Sequence, residues 1–336
     1  KIMKNRPVNQ LPDSSIEKRI WPYQNKYSAI ELSSQESEFL SRDDLPIISV
    51  VTPSFNQGQF IEQTIRSVLL QNYPHVEYFV MDGGSTDNTK SVLEKYSSWI
   101  TDWKVEDDNG QSHAINKGFK RSSGDIVAWL NADDIYLPKT LLSVAKAMVD
   151  YPDAGFCFGN WHEIDATGKV KNTYLSRTPS VLGLLTNVKS YVAQPTLFFK
   201  RNALEKIGFI DESLHMVMDF ELLLRLLVKY EPIQVDEVLA AYRTHPATKT
   251  NLMETLAWAE REIVFQRILS SDNITTDILN LKRSIMGVFF RRSAYEHLRS
   301  LRLLKGIRSL LLSIIYNPFQ VLDLRLWWGF LKGPNN

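Results

Sequence analysis

From Pro46 to Asp134 one pattern recurs: a short apolar run, a polar cluster, then a segment whose apolar residues return at helical spacing. The apolar runs are residues 47–51, 76–81, 103–106 and 125–130, each the length of a buried strand. Phe60, Ile61, Thr64, Ile65, Val68 and Leu69 mark the first helix, which Asn72-Tyr73-Pro74 ends. Asp87 caps the second helix, and residues 112–120 make the third. Strands and helices alternating at this rhythm predict an α/β fold with a mostly parallel, doubly wound sheet flanked by helices. Such sheets bind ligands beyond the carboxyl ends of their strands. The clusters at 53–56, 82–87, 107–111 and 131–134 each follow a strand, so four loops should converge on one edge.

The last cluster, Asn131-Ala132-Asp133-Asp134, carries the most chemistry. Two adjacent carboxylates at the end of a buried strand repel each other, and a divalent cation would relieve that repulsion. Mg2+ or Mn2+ takes one or two carboxylates and completes its shell with water and substrate phosphates. The alternative is that Asp133 and Asp134 only cap the helix opened by Pro138. Asp82, at the end of the second strand, can accept from a base or ribose, and Gly83-Gly84 beside it lets backbone approach a ligand closely. Its alternative is a turn and helix cap.

Beyond residue 150 the alternation breaks. Residues 156–165 and 169–174 around Thr167-Gly168 read as an antiparallel hairpin, 196–200 and 235–243 as strands, and 202–207 and 218–229 as helices. Residues 1–45 read as an N-terminal leader, 46–252 as the ligand-binding body, and 253–336 as a helical, basic extension. From Leu281 to Lys332 ten basic residues face only Glu296 and Asp323 and mix with Phe289, Leu311, Trp327 and Trp328. Basic amphipathic helices with tryptophans suit an anionic membrane surface, although a helical cap or dimer interface would share that composition.

Composition excludes several classes. A chain of 336 residues with 44% hydrophobic and 23% charged residues is an ordinary folded protein of one or two domains. A net charge of +1 gives no basis for bulk nucleic-acid binding. Cys157 is the only cysteine, so neither an internal disulfide nor a zinc-cysteine cluster can form, which suits a reducing compartment. No phosphate-binding Gly-x4-Gly-Lys-Ser/Thr motif and no Gly-x-Gly-x-x-Gly after a strand are present. No apolar run is long enough to span a membrane, and the first residues hold no signal-peptide core, so a cytoplasmic location is expected.

The ordered set Val51-Thr52-Pro53-Ser54-Phe55-Asn56, Asp82 to Asp87, Asn116-Lys117-Gly118, Gly124-Asp125-Ile126, Asn131 to Asp134 and Met218-Asp219-Phe220-Glu221 resembles family 2 glycosyltransferases of the GT-A (Rossmann-like) fold. The resemblance covers about residues 46–250. It implies transfer of a sugar from a nucleotide-diphosphate donor to an acceptor hydroxyl with inversion, in cell-surface polysaccharide or glycolipid synthesis. It places Pro53, Ser54, Phe55 and Asn56 at the nucleotide, Asp82 at the base, and Asp108 in a loop over base and ribose. Asn116 would face the same pocket. Asp133 falls on the last carboxylate of the family's Asp-x-Asp element and is the implied metal ligand, with Asp134 and His245 as further candidates. Asn131 stands where that element usually begins with Asp, a departure that touches the sugar or ribose contact. Asp219 falls on the catalytic base. Glu221 is also a carboxylate there, but Asp219 matches the motif and starts its helix, where the dipole keeps it ionised. The implied partners are a nucleotide-sugar donor, a glycan or lipid-linked acceptor, and an anionic membrane through 281–332. A non-catalytic nucleotide-sugar or glycan-binding module on this fold is the competing expectation. A nucleotidyltransferase is disfavoured because residues 53–58 carry no basic side chain. Arg243 is read as a phosphate ligand or a surface charge, Gln194 as a possible border of the acceptor cleft, and Trp161 with His162 as a sugar-stacking face or core.

Overall fold

The computed structural model describes residues 11–12, 32–186, 192–246, 248–249, 253–271 and 273–318. Most of the expected leader, and the end of the basic tail with Trp327 and Trp328, lie outside the described residues. In chain order the elements are α1 (Ser34–Leu40), β1 (Ile48–Ser54), α2 (Ile61–Leu69), β2 (Val76–Asp82), α3 (Thr89–Tyr96), β3 (Asp102–Val105), α4 (Gln111–Arg121), β4 (Ile126–Trp129), β5 (Ile135–Tyr136) and α5 (Thr140–Asp150). There follow β6 (Phe156–Ile164), β7 (Val170–Tyr174), α6 (Val181–Thr186), β8 (Phe198–Lys200), α7 (Arg201–Ile207), α8 (Met218–Leu227) and β9 (Pro232–Arg243). The last helices are α9 (Glu254–Ile268), α10 (Thr276–Asn280), α11 (Lys282–Arg299) and α12 (Leu303–Tyr316). One compact unit falls within Lys1–Thr178 and Tyr191–Thr248, and a second within Pro179–Ser190 and Lys249–Asn336.

The first unit is an α/β domain around one nine-stranded sheet, ordered β3-β2-β1-β4-β8-β6-β9-β5, with β7 on β6. Strands β3, β2, β1 and β4 are parallel, as the alternation predicts. β1 and β2 are buried along their whole length, the signature of strands covered on both faces. Beyond β4 the sheet is mixed: β8 runs antiparallel to β4 and β6, and β9 parallel to β6. β5 adds to β9 antiparallel through only Ile135 and Tyr136.

Helix α2 buries Ile61, Ile65, Val68 and Leu69 against this sheet. α4 approaches β1 over Gly118, where a Cβ would overlap the Val51 side chain. Part of the N-terminal region belongs to the same core. Leu11 is buried in it, Phe39 of α1 packs against it, and Pro12 O accepts from Arg66 Nη1 at 3.0 Å.

The second unit is helical in its described residues. Trp258, Phe265, Phe289 and Phe290 form an aromatic chain between α9 and α11. α11 and α12 pack as an antiparallel hairpin turned at Leu301, whose φ is +57°.

Candidate active site

The loops after β1, β2 and β3 are stitched together by their own polar groups. Ser54 O accepts from Gly83 N at 2.8 Å, the Asn56 N–H donates to Ser85 Oγ, and Asn56 Oδ1 accepts from Thr86 N at 2.9 Å. Asp82 is buried at the end of β2. Its oxygens accept from Gly84 N, Ser85 N and Ser85 Oγ, so the carboxylate shapes the loop that follows it. Asp108 lies directly on Gly83, where a Cβ would sit 2.8 Å from its Oδ2, and Asp107 lies on Gly84, whose φ is +86°. The glycine pair therefore lets the β2 and β3 loops touch. Asp108 Oδ1 also accepts from Gly110 N. His113 on α4 accepts at Nδ1 from Asn109 N and so braces that loop.

Two groups within this frame suit a ligand. The Ser54 hydroxyl is buried and has no hydrogen-bond partner among the described residues, a state that a buried polar group seldom keeps. The Phe55 ring is 60% exposed at the rim, where a flat ligand could stack on it. Pro53, behind them in β1, is buried in the strand and contributes shape rather than a polar contact.

The segment after β4 is held from below. Thr64 Oγ1 lies within hydrogen-bond distance of the Ala132 and Asp134 carbonyls, at 2.9 and 2.7 Å. Arg243 is fully buried at the end of β9, so it is neither a surface charge nor a phosphate ligand. Its guanidinium donates to the carbonyls of Asp133, Asp165 and Ala166 and to Gln63 Oε1, and it lies 4.9 Å over the Phe60 ring. Burial pulls this guanidinium below its ordinary pKa, against the opposing charges of Asp134, Asp133 and Asp165.

The two carboxylates separate here. Asp134, expected as a further metal ligand, is fully buried with both oxygens engaged inside the protein: Oδ1 accepts from Arg243 N at 2.9 Å and Oδ2 from Asn131 Nδ2 at 3.1 Å. Burial, and then the neighbouring Asp133 charge, push its carboxyl well above the usual range, against the Arg243 and Asn131 hydrogen bonds. Asp133 is instead partly buried, with its Oδ2 3.2 Å from His245 Nε2. His245 follows β9 and rests against Phe60, ring centroids 4.9 Å apart.

One carboxylate oxygen and one imidazole nitrogen are suitable donors for Mn2+ or Mg2+. Among the described residues no three His, Cys, Asp or Glu side chains gather into a cage. The protein would thus supply Asp133 and His245 and leave the remaining positions to water and a diphosphate, the arrangement that such ions accept.

Asn131 is tied inward rather than offered to a donor. Besides Asp134, its Nδ2 donates to Gln194 Oε1, and its Oδ1 accepts from Gln111 Nε2. Gln194 in turn donates to the Trp129 carbonyl, so it buttresses the β4 loop. Asn116 also departs from expectation. It is buried and clamps α4 to the chain before α8, donating to Ile210 O and Glu212 Oε1 and accepting from Ile210 N.

The same stretch is fixed by Ser112 Oγ donating to Leu214 O, and it delivers Asp219 in the first turn of α8. Asp219 is half-buried and accepts from Phe220 N. Glu221 is committed elsewhere, in a bidentate pair with Arg225, which also holds the carbonyls of residues 207–209. The Arg225 pair thus adds a second distinction between these two carboxylates to the motif match that favours Asp219. On β6, Trp161 meets Tyr174 edge-on at 4.1 Å and His162 pairs with Thr173, both on the β6–β7 hairpin.

With this geometry the chain can be compared with known proteins. Residues 49–209 match the family model described as Glycosyl transferase family 2. The chain carries a family 2 glycosyltransferase domain of the GT-A fold. An uncharacterized glycosyltransferase of Rickettsia typhi is 26% identical over 74% of the chain and 81% of its own length. TuaG of Bacillus subtilis, named as a candidate teichuronic acid biosynthesis glycosyltransferase, is 40% identical over 26% of the chain and 36% of its own length. Residues 1–349 of TarS from S. aureus in complex with UDP-GlcNAc superpose with a TM-score of 0.61 at 18% identity, over 85% of the chain and 88% of that structure. The mannosyltransferase PcManGT from Pyrobaculum calidifontis, in complex with GDP-Man and Mn2+, gives a TM-score of 0.55 at 16% identity, over 88% and 90%. At these identities the structures speak for the fold.

Functional residues that the sequence reading does not single out include Gln63, Thr64 and Gln111, all of which hold the 131–134 segment or Arg243. Only Thr64 carries a signal, a polar residue within the buried apolar stripe of α2; Gln63 and Gln111 are partly buried and show none.

Proposed function

We propose that this glycosyltransferase moves a sugar from a nucleotide-diphosphate donor to a hydroxyl of a glycan or lipid-linked acceptor, with inversion and with help from Mg2+ or Mn2+. The reading places the work in cell-surface polysaccharide or glycolipid synthesis at the cytoplasmic face of a membrane. The observation that carries it is the partly buried Asp133–His245 pair, made between the loop after β4 and the residues after β9, beside polar groups of that loop that are locked from beneath.

The Ser54 hydroxyl, Phe55 and the loops of Asn56, Asp82 and Asp108 would seat the nucleotide. A divalent ion at Asp133 and His245 would offset the charge that grows on the departing diphosphate. Asp219 removes the proton of the acceptor hydroxyl as that oxygen bonds to the anomeric carbon, and the carbon–phosphate oxygen bond breaks on the opposite face. The first turn of α8 favours an ionised carboxylate at this position. TarS and PcManGT, seen with UDP-GlcNAc and with GDP-Man and Mn2+, support a nucleotide-sugar donor and a metal, and the name of TuaG supports a surface-polymer acceptor.

Two substitutions test the reading. Asp219→Asn is expected to abolish transfer while calorimetry still reports nucleotide binding, and Asp133→Ala is expected to remove the Mn2+-dependent part of that binding. Turnover retained by Asp219→Asn overturns the base assignment, and equal affinity with and without Mn2+ overturns the metal role. Neither hydrolysis of nor transfer from any of a panel of nucleotide sugars would favour a binding module instead.

A further inference from the structure

Helix α12 is built inside out. Its Gly306, Ser309 and Ser313 are buried against α11, with Ser309 Oγ 3.1 Å from Ser293 Oγ and Ser313 Oγ donating to the Gly287 carbonyl. A Cβ at Gly306 would overlap the Leu298 side chain, so the two helices are in close contact there. The opposite face carries Leu304, Ile307, Leu311 and Ile315 at helical spacing, which are 86%, 49%, 56% and 64% exposed. Leu301 and Leu303, in and just after the turn, are 85% and 60% exposed, and Leu301 adopts a left-handed backbone that a bulky residue seldom takes.

A helix in water turns its leucines inward and its serines out. The reverse arrangement, small residues toward the partner helix and large aliphatic ones away from it, suits an apolar medium. At 14 residues α12 is about 21 Å long, too short to cross a bilayer. None of the described helices is long and apolar enough to cross one. An aliphatic helix of this length lies in the plane of an interface.

Charge selects the occupant. Between residues 281 and 318 eight basic residues stand against the single acid Glu296. Two copies docked through this face would bring like charges together, whereas an anionic leaflet complements them. Lys305 and Arg308 lie along one side of the aliphatic stripe, and Arg308 also reaches Glu262 at 3.2 Å.

We propose that the α11–α12 hairpin is a membrane-docking element that inserts Leu304, Ile307, Leu311 and Ile315 into the acyl boundary of an anionic leaflet. The inference deepens the lipid-linked-acceptor reading and rests on it for its purpose. Its test uses neither donor nor acceptor, so the two can fail separately.

The full chain is sedimented with vesicles of phosphatidylcholine alone or of phosphatidylcholine mixed equally with phosphatidylglycerol. Binding to the mixed vesicles, and a fall in partitioning of at least about tenfold for Leu304→Ser with Leu311→Ser, are expected. Because Cys157 is fully buried, Ile307→Cys offers a single exposed thiol for an environment-sensitive dye. Its emission should shift to the blue on mixed vesicles, which decides the matter even if the double variant fails to fold. Unchanged emission, or unchanged partitioning of a folded double variant, overturns the proposal. So does a lipid-free dimer that the double variant dissolves, which would assign the face to a second copy of the chain.

Discussion

Replacing Asn131 by Asp should destabilise this protein more than removing the side chain altogether. In the native loop the Asn131 amide donates to Asp134 Oδ2 at 3.1 Å and to Gln194 Oε1 at 3.0 Å, and its oxygen accepts from Gln111 at 2.8 Å. An aspartate keeps only the last of these. Its other oxygen would face two acceptors, one belonging to the fully buried Asp134. Gln194 cannot escape by turning its amide over, because its nitrogen holds the Trp129 carbonyl at 2.9 Å. Two carboxylates about 4 Å apart repel by about 4 kcal/mol at an effective dielectric near 20. Each unmade hydrogen bond adds about 1–3 kcal/mol, and uptake of a proton limits the total. The expected loss at neutral pH is about 3–5 kcal/mol for Asn131→Asp, against about 1–2 kcal/mol for Asn131→Ala. Urea unfolding followed by circular dichroism measures both. Combining Asn131→Asp with Asp134→Asn exchanges donor and acceptor across the same contact and should return at least half of the loss. If Asn131→Asp is as stable as the parent, or the exchange returns nothing, the hydrogen-bond account of this loop is wrong.

Arg243→Met should cost about 3–5 kcal/mol in the same assay, since it strips a buried cation from several acceptors, and Arg243→Lys should not rescue it because one ammonium cannot span them. A lysine variant of parental stability would refute that role. Glu77 lies buried between β1 and the Ser123 turn. Burial alone would raise its carboxyl, but hydrogen bonds from the Ser123 hydroxyl and N–H and from the Ser49 hydroxyl outweigh that and hold it below its ordinary value of 4.5. A depressed native value means that the group contributes its full stability above the unfolded value and loses it as pH falls through the native one. Glu77→Gln should therefore flatten the acid limb of the urea midpoint plotted against pH, and an unchanged slope would exclude Glu77 as its source.

The parallel half of the sheet is readable from sequence because its signal is local. The runs at 47–51, 76–81, 103–106 and 125–130 fall on β1, β2, β3 and β4 with ends shifted by a few residues, and the polar clusters follow them. β5 escapes notice since two residues carry no period, and α6 because a short apolar run fits more than one structure. Side-chain roles are harder to read. Asn116 sits on the expected helix, but whether it faces a pocket or a neighbouring loop depends on where residues 210–212 return, nearly a hundred positions later. Asp133 and Asp134 are chemically alike and adjacent, and only the arrival of β9 with Arg243 and His245 separates the fully buried one from the partly buried one. The Asn131 departure becomes intelligible only once Gln194 and Asp134 are seen to require a donor between them.

On the proposed function, the buried Arg243 also bears on the thermodynamics of donor binding. It joins the ends of β4, β6 and β9 to α2 at one point, so the floor under Asp133 takes its shape when the chain folds and not when a ligand arrives. The conformational entropy lost on donor binding should then come from the rim, where Phe55 and Asn56 are exposed, and little from the floor. Two donors that differ only in the sugar would meet the same rigid base, leaving discrimination between them to side chains above it.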